Sequence, residues 1–103
     1  MVNLNTFLTT QMKMTSFYQP LIIKCLLEGI TCNKEIAKLC QVYSPQYDAE
    51  NYSKKLKIYP KQVFKKHGIA ELVKGKWQLN ESVQVESNSL ELCNAKLVEF
   101  FNK

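Results

Sequence analysis

Arginine is absent from this chain, and all 14 basic residues are lysine. Arginine is the commonest bidentate reader of guanine, whereas lysine acts mainly as a point charge on phosphate. Any reading of a nucleic acid therefore falls to polar, aromatic or main-chain groups, and its binding is expected to depend strongly on salt. Histidine is nearly absent too, with His67 alone, and the four cysteines (Cys25, Cys32, Cys40 and Cys93) show no C-x-x-C spacing. That set does not make a zinc site, and no other cofactor is implied. No apolar run approaches the roughly 20 residues needed to span a bilayer. The first residues also lack the charged-then-apolar order of a signal peptide. An H-N-H cluster, paired carboxylates and a nucleophile with a partnered histidine are all missing, so general acid–base chemistry has no positioned partners here. Three of the cysteines sit among aliphatics in helical patterns, where a thiol packs as a small apolar group. A cytoplasmic protein with reduced thiols and no active site in this chain is expected.

What is present is a core and an uneven charge. A chain of 103 residues with 46% apolar composition suffices for one domain of three or four helices and a hairpin, and is too short for an enzyme with separate lobes. The net charge of +5 is concentrated. Between Lys54 and Lys76 there are eight lysines against Glu71 alone, a local charge of +7 that leaves −2 for the remainder. A basic patch on a compact domain is the electrostatic footprint of a nucleic-acid binder. The same cluster read only as charge is a solvated lysine-rich face.

Residues 1–15 are polar and threonine-rich with scattered Leu4, Phe7, Leu8, Met12 and Met14, and are expected as a weak helix or an arm packed on the domain. From Ser16 the pattern sharpens. Ser16 and Gln19 have capping-box spacing, Pro20 suits a first turn, and the run from Leu21 to Leu27 is apolar except for Lys24, which predicts a central helix ended by Gly29. A second helix is expected from Thr31 or Cys32, with Glu35 as its cap. Its Ile36, Leu39, Cys40 and Tyr43 are buried, and Lys34, Lys38 and Gln41 face outward. Ser44 and Pro45 break it. A third, over about 46–58, carries Asp48 and Glu50 early and Lys54, Lys55 and Lys57 late, a polarity that matches the helix dipole. Residues 80–88 read as a polar connection, and a last helix from Ser87 or Ser89 aligns Leu90, Cys93, Leu97, Phe100 and Phe101.

The organising stretch is Tyr59 to Leu79. Pro60 opens a short helix and Gly68 closes it. Val63 and Phe64 form its buried side, so Lys61, Gln62, Lys65 and Lys66 face outward with no carboxylate among them. Two strands follow and meet at Lys74 and Gly75, with Lys76 on the far side of the turn. Trp77 is open to two roles, as core or as a base-stacking platform, and His67 to two, as a helix-end residue or as a phosphate contact or base. The order of helices, recognition helix and hairpin predicts a mainly α fold with a small β-hairpin wing, a winged helix-turn-helix over residues 16–103.

The segments "FYQPLIIKCLLEG", "KEIAKLC", "YPKQVFKKHGIAEL" and "GKWQLN" resemble successive parts of a winged-helix module at the N-terminus of HNH-type restriction endonucleases, including modification-dependent ones. Lys61 departs from the small residue expected after the proline. The resemblance implies a double-stranded DNA-binding module that delivers a fused nuclease domain to its targets, among them sites bearing 5-methylcytosine or 5-hydroxymethylcytosine. In this reading Lys54, Lys57, Lys61, Lys65, Lys74 and Lys76 meet phosphates, Gln62 and Lys66 lie nearest the bases, and Tyr59 and Tyr52 are candidate apolar contacts. Two other readings of the residues stand beside it: a winged-helix transcriptional regulator that dimerises through its last helix, and a protein-interaction adaptor whose lysines meet an acidic partner.

Overall fold

The computed structural model describes residues 2–14 and 16–102. Thr15, where the expected arm ends, lies outside them, as do Met1 and Lys103. At the centre is α2 (Tyr18–Leu27), which buries Leu21, Ile22, Ile23 and Cys25. A helix apolar nearly all round has no face to give to solvent. Accordingly α3 (Asn33–Tyr43), α6 (Ser89–Phe101) and a strand of the hairpin all pack on it. The expected capping box does not form. Phe17 stands at the helix start, and Gln19 is buried with its carboxamide unpartnered among the described residues. Phe17 is drawn inward by ring contacts with Tyr18 and Phe101, whose centroids lie 4.9 and 5.2 Å away.

Helix α3 buries Ile36, Ala37 and Cys40 and leaves Lys34, Lys38 and Gln41 exposed; of the expected inner stripe Leu39 is only half-buried, and Tyr43, at the helix end, is exposed. Cys32 precedes it without a side-chain cap, and Glu35 lies in the first turn, where its charge suits the dipole. Helix α4 (Ala49–Leu56) starts at Asp48, whose Oδ1 accepts from the Asn51 N–H at 2.8 Å, and buries Tyr52 and Leu56 one turn apart. After Lys57 and Ile58, α5 (Tyr59–His67) begins with proline in its first turn and ends at Gly68, whose φ of 68° is the left-handed conformation a helix end favours.

The hairpin pairs β2 (Ala70–Val73) with β3 (Lys76–Leu79), setting Leu72 opposite Trp77 and Val73 opposite Lys76. Strand alternation turns Trp77 inward and leaves Lys76 and Gln78 exposed. The chain before α3 extends this pair, because Cys32 bridges to Lys76 and the Trp77 N–H donates to the Thr31 carbonyl at 2.8 Å. Two short strands absent from the sequence reading, β1 (Val2–Asn3) and β4 (Val83–Gln84), pair in parallel and tie the N-terminal segment to residues 80–88. That segment continues as α1 (Leu4–Thr6) and a π-helical turn over Phe7–Gln11, and buries Leu4, Phe7 and Leu8 in the common core. The Phe7 ring meets Phe64 edge-on at 6.0 Å, and Phe64 meets Trp77 at 5.7 Å. These three rings hold the inner face of α5 between the N-terminal segment and the hairpin. No helix among the described residues is long and apolar enough to cross a membrane.

One polar group is buried where these parts meet. Asn33, the first residue of α3, accepts from Trp77 Nε1 at 2.8 Å and donates through Nδ2 to the Ser53 hydroxyl and carbonyl of α4 at 3.1 and 3.2 Å. Its backbone N–H donates to the Gly75 carbonyl at 2.9 Å. Replacing Asn33 with alanine leaves the buried indole N–H without an acceptor. It is expected to cost about 1–3 kcal/mol in denaturant unfolding, and an unchanged midpoint would contradict the role assigned to Asn33.

Burial also governs the thiols. It pushes Cys25 up to about 11 and both Cys40 and Cys93 up to about 12. In the unfolded chain a thiol titrates near about 8.5. Because the folded values are raised, this stabilisation is complete below that pH and is lost as pH climbs through the folded values. Unfolding free energy is therefore expected to decline above about pH 9, and a thiol reagent at neutral pH should modify the half-exposed Cys32 well before the other three. Rapid modification of all four in the native protein would overturn this.

Candidate nucleic-acid interface

Lys34 in the first turn of α3, Lys57 at the end of α4, and Lys74 and Lys76 on either side of the hairpin turn border one concavity of about 230 Å³. Cys32, Asn33, Ser53 and Gly75 complete its lining, and no carboxylate takes part. The arrangement follows from the bonds already described. Asn33 fastens the start of α3 to the hairpin turn and to α4, so the residues beside each anchor are brought to one rim. Among the described residues the ion pairs are Lys24–Glu28, Lys54–Glu50 and Lys96–Glu99, at 3.0, 3.8 and 3.7 Å. None of the four rim lysines belongs to one. Along the groove between α3 and α4 the lining passes from Lys34 to Lys38, where Glu50 enters and ends the uniformly positive stretch.

The turn itself is unusual. Lys74 has a φ of 52° and Gly75 a φ of 78°. Two consecutive positive values are what a two-residue hairpin requires, and asparagine followed by glycine is the pair that satisfies it best. A lysine at the first position is strained by contact of its Cβ with the backbone.

On α5, Lys61, Gln62, Lys65 and Lys66 are exposed, opposite the buried Pro60 and Phe64. Tyr59 at the helix start is 43% exposed, and Ile58 before it is 61% exposed. None of these side chains borders the concavity, so the expected site residues fall into two groups: Lys57, Lys74 and Lys76 at the rim, and Tyr59, Lys61, Gln62, Lys65 and Lys66 along α5. Lys54 is exposed beside Glu50. Lys34 and Ser53 join the rim without having been expected there. Lys34 is 40 residues from Lys74 in sequence and is brought beside it by the bonds of Thr31, Cys32 and Asn33 to the hairpin.

The open alternatives resolve toward the interior for Trp77 and Tyr52. Trp77 is buried against Phe64 and Asn33. Tyr52 is buried, and its hydroxyl donates to the Ser44 carbonyl. His67 is half-buried with its ring 5.3 Å from Phe7, and the helix end is closed by the Gly68 backbone, whose N–H donates to the Lys65 carbonyl at 3.2 Å. Lys55 lies over the Tyr47 ring, 4.4 Å from its centroid, a cation–π contact that occupies it. Among the described residues no group of three or more His, Cys, Asp or Glu side chains is placed to hold a metal ion.

Because asparagine tolerates the left-handed conformation better than lysine, Lys74→Asn is expected to stabilise the protein by up to about 1 kcal/mol in denaturant unfolding. A destabilised variant would show that the lysine is not strained in the turn. Comparison with family models, with curated proteins and with solved structures finds no match to this chain.

Proposed function

We propose that this chain is a winged-helix domain that binds double-stranded DNA, with α5 as the helix that enters the major groove and the β2–β3 hairpin as the wing. The observation that carries this reading is the gathering of Lys34, Lys57, Lys74 and Lys76 on one rim without a carboxylate or an ion pair. Like charges held together in a folded protein repel one another, and a polyanion relieves that repulsion. Helix α5 supplies the second support. Its nine residues span about 13 Å, its outer face carries three lysines and Gln62, and a major groove about 12 Å wide admits such a helix.

Division of labour follows from side-chain chemistry. Lysines of the rim and of α5 neutralise phosphates, which fixes orientation without reading sequence. Gln62 is the residue able to donate and accept together at an adenine edge. Tyr59, half-exposed at the helix start, is the apolar contact suited to a methyl group on a pyrimidine. The likeness to endonuclease N-terminal modules extends the proposal to a target-reading domain for a nuclease, with methylated or hydroxymethylated cytosine as the base read.

A second reading, a dimeric regulator, draws on one further feature. Phe101 stacks on Tyr43 at 5.9 Å beside the exposed Val98, and these side chains leave an apolar strip at the end of α6. Sedimentation of the free protein separates the two, since a monomer removes the regulator that reads two half-sites.

The test is a gel shift or anisotropy titration with matched unmodified, methylated and hydroxymethylated duplexes at several salt concentrations. About six neutralised phosphates give a slope of log affinity against log salt near −5. Absence of a complex near 0.1 M salt, or a complex indifferent to salt, would overturn DNA binding. Equal affinity for the three duplexes would remove the modified-base reading alone.

A further inference from the structure

We infer that the concavity between the start of α3, the end of α4 and the hairpin turn is a seat for a single phosphate group. The inference deepens the DNA-binding reading, on which it rests for the source of that phosphate, and names the contact that would set the register of the bound backbone. Its chemistry is that of a phosphodiester or a free phosphate, and the experiment below separates the two sources.

Size gives the first argument. At about 230 Å³ the concavity lies below the roughly 300–1,000 Å³ of pockets that enclose drug-sized ligands. It suits one compact anion or one group projecting from a longer chain. Charge gives the second, since four lysines from three elements line it and no carboxylate shares the lining.

The third argument is the direction of the hydrogen bonds beneath the rim. Trp77 Nε1 can only donate, so the Asn33 carbonyl oxygen faces it. The Asn33 amide is thereby turned to donate to Ser53 Oγ. Ser53 accepts there and has no acceptor for its own hydroxyl hydrogen among the described hydrogen bonds. Ser53 is one of the residues that line the concavity, and its hydroxyl hydrogen is the donor left free by the relay from Trp77 through Asn33.

Lys74 supplies the fourth. A lysine occupies a left-handed position that asparagine or glycine would fill without strain. Strain of this kind persists where the side chain has a task, and the task available to Lys74 is to bring its ammonium to the rim.

Two arms test the seat. In the first, the melting temperature of the full chain is compared in inorganic phosphate and in chloride at equal ionic strength. Phosphate is expected to raise it by several degrees, and the rise should vanish in Lys34→Gln/Lys76→Gln and shrink in Ser53→Ala. It should persist in Lys61→Gln/Lys65→Gln, which removes the same charge from α5. In the second arm, Lys34→Gln/Lys76→Gln should reduce the salt slope of duplex binding by about one. Equal response to phosphate and chloride, or equal loss in both lysine pairs, would overturn the seat while leaving duplex binding through α5 intact. A phosphate response that only the rim variants abolish, without any duplex binding, would keep the seat as a free-phosphate site and overturn the DNA reading.

Discussion

A single carboxamide, that of Asn33, joins the three elements that carry the rim lysines. It satisfies the indole N–H of Trp77 on one side and reaches Ser53 on the other, while its own backbone N–H holds the hairpin turn at Gly75. Buried polar groups are costly when unpaired, and this one is paired in every direction. The start of α3, tied to the hairpin also by main-chain bonds at Thr31 and Cys32, is thereby fixed in one register with both the hairpin turn and α4. Lys34, Lys57, Lys74 and Lys76 ride on those elements within four residues of an anchor, so the rim inherits its geometry from the core.

Helix α5 is positioned by a different kind of contact. Phe64 is clamped edge-on between Phe7 and Trp77, and Pro60 is buried at the helix start. The aromatic clamp buries one side of the helix, and the lysine-rich side is left to solvent as a consequence. Phe7 belongs to the N-terminal segment, whose β1 strand is paired to β4 near the far end of the chain. The presentation of α5 thus depends on residues more than 50 positions away on one side and on the hairpin on the other. Both the rim and the helix rest on Trp77, which links the polar anchor to the aromatic one.

Much of this was legible along the chain because the signals are local. Pro60 and Gly68 bracket α5, the spacing of Ile36 and Cys40 sets the inner face of α3, the acidic-early and basic-late order marks α4 although it runs only from Ala49 to Leu56 and not over 46–58, and Gly75 between alternating strands marks the hairpin. What escaped the reading is tertiary in origin. Two-residue strands have no period to detect, so the pairing of Val2 with Val83 leaves no trace in the sequence. Ser16 and Gln19 have the spacing of a cap, yet the pull of an aromatic cluster on Phe17 decides the start of α2 and buries Gln19. Asn33 reads as one polar residue at a helix start, and nothing nearby announces Trp77 or Ser53 as its partners. Lys34 became part of the rim by the same route.

The central proposal is that two basic groups, the rim made by the start of α3, the end of α4 and the hairpin turn, and the outer side of α5, both receive DNA. Backbone amide shifts recorded while a short duplex is added measure it most directly. The account predicts that perturbed amides concentrate in residues 32–35, 53–62, 65–66 and 73–76, with α2 and α6 unmoved. Perturbations centred on Tyr43, Val98 and Phe101, or spread evenly over the surface lysines, would contradict it.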